Sequence, residues 1–282
     1  MSKTSAAKPD PLETILRPGQ SIALLKHLHI LTADGRLNQD TRRKLKQVNH
    51  LLQFIEPLIT ALREGGVAPN IVDHGAGKSY LGFLLYDAVF TGRSGSVWGI
   101  ESRADLIAST AALAKTLGFE RMGFVLGDTA GAANHAALPS EVHMVTALHA
   151  CNTATDDAIR FGIAKNAPYM ALVPCCQAQV AAVLRAQHTK PTSALAALWQ
   201  RPLHTREFGS QLTNVLRCLQ LETAGYQVTV TELVGWEHSM KNELIIAKRT
   251  GKPNAALQEK SRLQLEAILQ ETHLTVLRER FL

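Results

Sequence analysis

The rhythm of apolar residues changes near position 70. Before it, Leu45, Val48, Leu51, Leu52, Ile55, Leu58, Ile59 and Leu62 recur at three- and four-residue spacing, the stripe of an amphipathic helix. That stripe predicts a helical extension over 21–66, behind a proline-bearing leader at 1–20 whose start is expected to be poorly ordered. From Asn70 onward, short apolar runs alternate with helical stretches. Strands are expected at 70–73, 96–100, 123–126, 142–147, 169–173, 226–233 and 243–248, with helices starting near 79, 103, 130, 154, 177 and 210. The last two strands are linked through Gly235-Trp236-Glu237-His238, too short for a parallel crossover, so they should form an antiparallel hairpin. The pattern predicts an α/β domain over 67–250: a Rossmann-like seven-stranded, mainly parallel sheet with helices on both faces. Leu257, Leu263, Leu265, Ile268 and Leu269 then predict one more amphipathic helix within 251–282.

The first strand ends on Asp73 and enters a turn with Gly75 and Gly77, and a helix starts at Ser79. One strand later, Glu101 ends its own apolar run. This is the geometry of a nucleotide-type cofactor site at the edge of a parallel sheet, where glycines let the backbone approach and a second carboxylate can accept ribose hydroxyls. A phosphate-binding P-loop would need a glycine five residues before Gly77, where Val72 stands. A dinucleotide fingerprint would want a third glycine near position 80, where Tyr80 stands. An ordinary strand-turn-helix is the remaining alternative. The order acid-before-glycines, Asp-x-Gly-x-Gly, resembles motif I of the class I S-adenosylmethionine (SAM) methyltransferases, in which the turn cradles the amino-acid part of SAM. Ser79 stands where a glycine often ends that motif.

Ligands of open α/β sheets lie beyond the C-terminal ends of strands, which directs attention to the strand exits. Asp128 follows the third strand, where a carboxylate can bond an adenine amino group while apolar neighbours sandwich the ring. The fourth strand leads into His149, Cys151 and Asn152, then Asp156 and Asp157 in the first turn of a helix, where acids favour its dipole. His149 is the best candidate for a base or substrate positioner, supported by Asn152 and Asp156. The fifth strand exits through Pro174 to Cys175 and Cys176. Three readings of the thiols compete: small buried apolar groups, a structural zinc site with His149, and active-site use. In the last, they shape the pocket or attack a pyrimidine, as in two-cysteine cytosine-C5 RNA methyltransferases, whose flanking motifs differ. His204, Arg206, Glu207, Trp236, His238 and Lys241 could line the pocket, but read more simply as surface or packing residues.

A chain of 282 residues with 46% apolar content can bury a full core. Its formal charge of +6 fits an anionic partner such as RNA. The cations cluster at Arg42, Arg43, Lys44 and Lys46, at the head of the amphipathic stripe. They read either as a solvated helix end or as a nucleic-acid contact beside the active site. Four cysteines, two of them adjacent, do not make a disulfide framework, and no segment reaches the apolar length needed to span a bilayer, so a cytoplasmic location is expected.

Leu148-His149-Ala150-Cys151 with Thr153-Ala154-Thr155-Asp156, then Val173-Pro174-Cys175-Cys176, resembles the methyltransferase-domain family that includes methyltransferase-like protein 25 and its bacterial relatives. The basic run from Arg43 to His50 is similar to the helix that precedes motif I in that family. A more distant likeness is to the tRNA ribose 2′-O-methyltransferases sharing the His-Ala-Cys element. The resemblance covers roughly residues 40–250. It implies a Rossmann-like fold and SAM as cofactor, held by Asp73, Gly75, Gly77, Glu101 and Asp128. The expected activity is methyl transfer to RNA, tRNA or rRNA, with a protein or small-molecule acceptor, or a non-catalytic binding module, as alternatives. The Asp/Asn-Pro-Pro-aromatic element of amino-group methylators does not follow the fourth strand.

Overall fold

Seven strands form one sheet: β1 (Asn70–His74), β2 (Ser96–Glu101), β3 (Met122–Leu126), β4 (Met144–Leu148), β5 (Tyr169–Val173), β6 (Tyr226–Glu232) and β7 (Glu243–Arg249). Their spatial order is β3-β2-β1-β4-β5-β7-β6. The computed structural model describes residues 16–37, 39–127, 135–148, 150, 153–174, 178–186, 194–233, 243–252 and 254–282, without the side chains of 39–41 and 44. β1 to β5 pair in parallel, whereas β7 runs antiparallel to both β5 and β6. The fold expected from the sequence is the one observed. The chain steps outward from β1 to β3, then returns to the other side of β1, so strand order reverses between β1 and β4. A crevice forms at such a reversal, because the connecting helices leave on opposite faces.

Nine α-helices surround the sheet among the described residues: α1 (Ile22–His27), α2 (Gln39–Glu64), α3 (Tyr80–Leu85), α4 (Ala104–Thr116), α5 (Ala154–Ala164), α6 (Gln179–Ala186), α7 (Pro202–Thr223), α8 (Ala255–Glu271) and α9 (Arg278–Phe281). The extension over 21–66 contains two helices, α1 and α2. Between them His29 and Gly35 take left-handed conformations and Leu31 bridges Leu37, which no continuous helix allows. α2 then buries Leu45, Val48, Leu51, Leu52, Ile55 and Ile59, each burial contributing roughly 1.5–3 kcal/mol. Residues 16–20 of the leader dock on it through the Arg17–Glu56 ion pair at 2.6 Å.

α7 starts eight residues before the expected position 210, because Pro202 at its first turn has no N–H to leave unsatisfied. His204, Arg206 and Glu207 lie on the exposed face of that early turn. The helix expected near 130 would begin outside the described residues, and 135–143 are not helical. One apolar cluster packs α1 to α3 against one face of the sheet, and another packs α5 and Phe161 against the opposite face. A third joins α6, α7, α8 and α9 around Leu216, Leu265 and Phe281.

Candidate active site

The turn after β1 is a set of backbone conformations that need glycine. Gly75 and Gly77 have φ of 64° and 56°, the left-handed region where a side chain costs about 1–2 kcal/mol. The Ala76 N–H donates to the Ile100 carbonyl at 3.0 Å, and the Gly77 N–H donates to Glu101 Oε2 at 2.8 Å. Two donors that an anion would require are therefore spent on β2, one of them on a carboxylate. This disposes of the P-loop reading of Gly77-Lys78-Ser79 on physical grounds. Ser79 closes the turn in a left-handed conformation, φ 53°, with its hydroxyl buried and unpaired among the described residues.

Glu101 stands at the tip of β2. Besides the Gly77 bond, its Oε1 accepts from the Arg103 N–H at 3.1 Å and the Ser102 hydroxyl at 3.2 Å. A carboxylate offers about four acceptor sites, so three are engaged and one stays open to a ligand. Gripping a ribose diol with both oxygens requires one of these internal bonds to be released. In register beside Glu101 on β3 is Leu126, an apolar side chain left 51% exposed.

Asp73 is buried at the end of β1, and its carboxylate accepts the Thr146 hydroxyl of β4 at 2.7 Å. Burial raises its pKa to about 7, against the lowering effect of that hydrogen bond. Its neighbour His74 is fully buried, edge-on to Phe161 at 4.5 Å, and burial lowers its pKa to about 3. His74 is thus a neutral core residue across the physiological range.

A cavity of about 280 Å³ opens at the β1/β4 reversal, lined by Asp73, Ala76, Tyr80, Leu81 and Leu148, with Gln47 and Val48 of α2 as its outer wall. α2 is anchored over this edge of the sheet by the His50 Nδ1–H, which donates to the Leu233 carbonyl beyond β6. Arg42, Arg43 and Lys46 are exposed on the opening turns of the same helix. Asp73, Gly75, Gly77 and Glu101 are brought together at this edge. Gln47, Val48, Tyr80 and Leu148 were missed as lining residues; the only sequence signal was a polar Gln47 directly before the buried Val48. Asp128, His149, Cys151, Asn152, Cys175, Cys176, Trp236, His238 and Lys241, and the side chain of Lys44, lie outside the described residues.

Asp156, expected to support His149, is fully buried and clamped by Arg217 and Arg280, away from the described lining of the cavity. Among the described residues, no group of three or more His, Cys, Asp or Glu side chains could hold a metal. Cys218 is half-buried, and burial pushes its thiol up to about 12, which leaves it unreactive.

A family model described as a methyltransferase domain matches residues 43–183, half of the chain, from the head of α2 into α6. The chain belongs to this methyltransferase domain family. The chain thus carries a methyltransferase domain. Among solved structures, a putative O-methyltransferase from Klebsiella pneumoniae aligns at TM-score 0.46 and 14% identity, over 85% of this chain and 94% of that one. Magnesium protoporphyrin IX methyltransferase from Synechocystis PCC 6803, with bound S-adenosylhomocysteine, aligns at 0.42 and 14%, over 81% and 93%. Fibrillarin from Aeropyrum pernix, with natively bound SAM, aligns at 0.40 and 14%, over 64% of this chain and 66% of that one, just under two thirds of its length. No curated protein matches the chain. Among the described residues, no helix is long and apolar enough to cross a membrane.

Proposed function

We propose that the chain methylates RNA, tRNA or rRNA, in the cytoplasm, with SAM held in the cavity at the β1/β4 reversal. The residues present fit that cofactor. A buried Asp73, whose pKa of about 7 leaves it roughly half protonated at neutral pH, is a latent anion suited to the cationic amino-acid end, and the open acceptor of Glu101 suits a ribose hydroxyl. Leu126 offers an apolar wall to an adenine ring, with Asp128 beyond it as partner for the amino group. Gly75 and Gly77 keep the turn free of side chains where the ligand approaches. Bound there, SAM supplies an already electrophilic methyl group, so the chain's task is alignment and removal of one proton. His149 is our candidate for that proton, with Asn152, Cys151, Cys175 and Cys176 around the acceptor.

One observation supports RNA in particular. Arg42, Arg43 and Lys46 are exposed on the helix whose next residues, Gln47 and Val48, line the cavity. Phosphates held by those cations, and by Lys44 beside them, would bring a nucleotide to the cavity mouth. The narrower likeness to methyltransferase-like protein 25 rests on the motifs at 148–156 and 173–176. We read 67–250 as the catalytic domain, 21–66 as an extension that walls the cofactor cavity, 1–20 as a leader and 251–282 as a C-terminal helix.

The test is transfer of labelled methyl from SAM into RNA of a strain lacking the gene, with mass spectrometry of the nucleosides. One methylated nucleoside should be lost in that strain and restored by the protein. Label appearing only in protease-sensitive or small-molecule fractions would overturn the RNA reading. Replacing Arg42, Arg43 and Lys46 by alanine should reduce the logarithmic salt slope of RNA binding by roughly two, and an unchanged slope would count against these cations.

A further inference from the structure

A buried polar network joins the roots of three segments that leave the same edge of the sheet. Asp156 lies in the first turn of α5, just after residues 149–152. Its Oδ1 accepts from Arg217 Nε at 2.8 Å, and its Oδ2 from Arg217 Nη2 at 2.9 Å. Arg280 of α9 donates to the same Oδ2 through Nε at 3.1 Å and Nη2 at 2.6 Å. Its third nitrogen, Nη1, donates to Gln179 Oε1 at 2.7 Å, and Gln179 opens α6 just after residues 175–177. On the other side, Arg217 Nη1 donates to Asn214 Oδ1 at 3.2 Å, and Asn214 Nδ2 donates to Glu243 Oε2 at 2.7 Å. Glu243 opens β7, just after residues 234–242.

Among the described residues, the bonds of the network reach none of the groups at the β1 and β2 tips. Ion clusters of this kind are poor stabilisers compared with apolar packing, so their worth lies in fixing geometry. The chain end is itself held rigid: Phe281 is fully buried in the third apolar cluster, and the Arg280 carbonyl accepts from Arg160 Nη1 at 3.3 Å.

We infer that Arg280 is a positioning residue for methyl transfer, a strut from the last helix that sets the segments carrying the acceptor site without touching the cofactor. This rests on the reading that the acceptor lies beyond β4 and β5. One guanidinium, 124 residues away in sequence from Asp156, fixes where α5 and α6 begin. Through Asp156, Arg217 and Asn214 it also ties in the start of β7.

Hydrogen–deuterium exchange of the full chain carrying Arg280→Gln tests the strut without any substrate. Peptides spanning 149–157, 174–180 and 234–244 should exchange at least about tenfold faster, while 70–101 stays within about twofold. Acceleration confined to 275–282, or spread evenly along the chain, would overturn the inference. Gln179→Ala cuts a single arm and should accelerate 174–180 alone, which keeps the test decisive should Arg280→Gln not fold; no acceleration there would also overturn it. In a second arm, calorimetry should give a SAM Kd for Arg280→Gln within about twofold of the unaltered chain. The rate of labelled-methyl transfer to RNA at saturating SAM should fall by about tenfold or more, and an unchanged rate would sink the positioning role. Should the unaltered chain put no label into RNA, the RNA reading fails, while the exchange arm still decides the strut.

Discussion

The tips of β1 and β2 and the roots of α5, α6 and β7 face the same edge of one sheet but are held by opposite means. At β1 and β2, a glycine turn is fastened by backbone bonds and one carboxylate, with an acceptor left open and a second acid whose pKa burial raises to about 7. Across the reversal, every charge in the network is answered by another side chain. The first arrangement leaves polar capacity for a ligand. The second spends that capacity on rigidity, so reactive groups on that side must come from the segments it anchors.

The largest expected effect breaks the second arrangement. Asp156→Ala leaves two guanidinium groups facing each other in a dry site and should cost about 3–5 kcal/mol in denaturant unfolding. Glu101→Ala, at the half-open tip of β2, loses bonds that water can partly replace and should cost less, about 1–2 kcal/mol. Equal costs for the two variants would erase the distinction between the halves.

Asp73 carries the next effect, through pH. Its folded pKa is about 7 against an ordinary value of 3.8, so the native state binds more protons than the unfolded chain between those values. Stability must therefore fall as pH rises from about 4 to 7, by about 1.4 kcal/mol per unit of separation at most. Asp73→Asn should flatten that slope. A cation arriving beside the carboxyl favours its charged form, so SAM binding near pH 7 should release up to about half a proton. Calorimetry in two buffers of different ionisation enthalpy detects this, and identical release by Asp73→Asn would remove Asp73 from the site.

Glu101→Gln comes third. It keeps the shape but removes the charge that strengthens bonds to hydroxyls, an effect of about 1.5–3 kcal/mol for a charged acceptor. SAM affinity should drop roughly tenfold or more, while stability falls by no more than about 1 kcal/mol for the internal bond that an amide cannot accept. Unaltered affinity would return Glu101 to a purely structural role in fastening the turn.

How much of this was legible in the sequence follows from how local each signal is. The strands of the parallel part of the sheet read as short apolar runs bounded by turn residues, so β1 to β5 were found within about two residues. Asp73, Gly75, Gly77 and Glu101 were legible because a strand, a turn and the next strand tip bring them together within one βαβ unit. Gln47 and Val48 were not, since the wall of a cavity contributed by a preceding helix leaves no spacing to read. The start of α7 was missed because its opening turn carries exposed Leu203, His204, Arg206 and Glu207, and the apolar stripe begins only beyond them. The ion-paired setting of Asp156 was not legible for the same reason at longer range. An acid in a first helical turn looks like a dipole partner, and nothing local announces arginines 61 and 124 residues away.

Ser79 carries the smallest and most local prediction. The turn needs a left-handed residue there, and a serine in that conformation bears strain of about 1–2 kcal/mol while burying a hydroxyl with no described partner. Ser79→Gly removes both costs, but gives the unfolded chain extra freedom, which offsets about 0.4–1 kcal/mol. The balance should be a gain of roughly 1 kcal/mol in denaturant unfolding. The backbone bonds of the turn, from Ser79 N–H to the Ala76 carbonyl at 2.7 Å and from Phe83 N–H to the Ser79 carbonyl at 2.9 Å, do not involve the side chain and should survive. A stabilised variant that binds SAM as before would mark the serine as tolerated strain. A stabilised variant that binds SAM more weakly would mean that the strained side chain serves the ligand, and that the turn gives up stability for binding as the opposite half of the sheet does not.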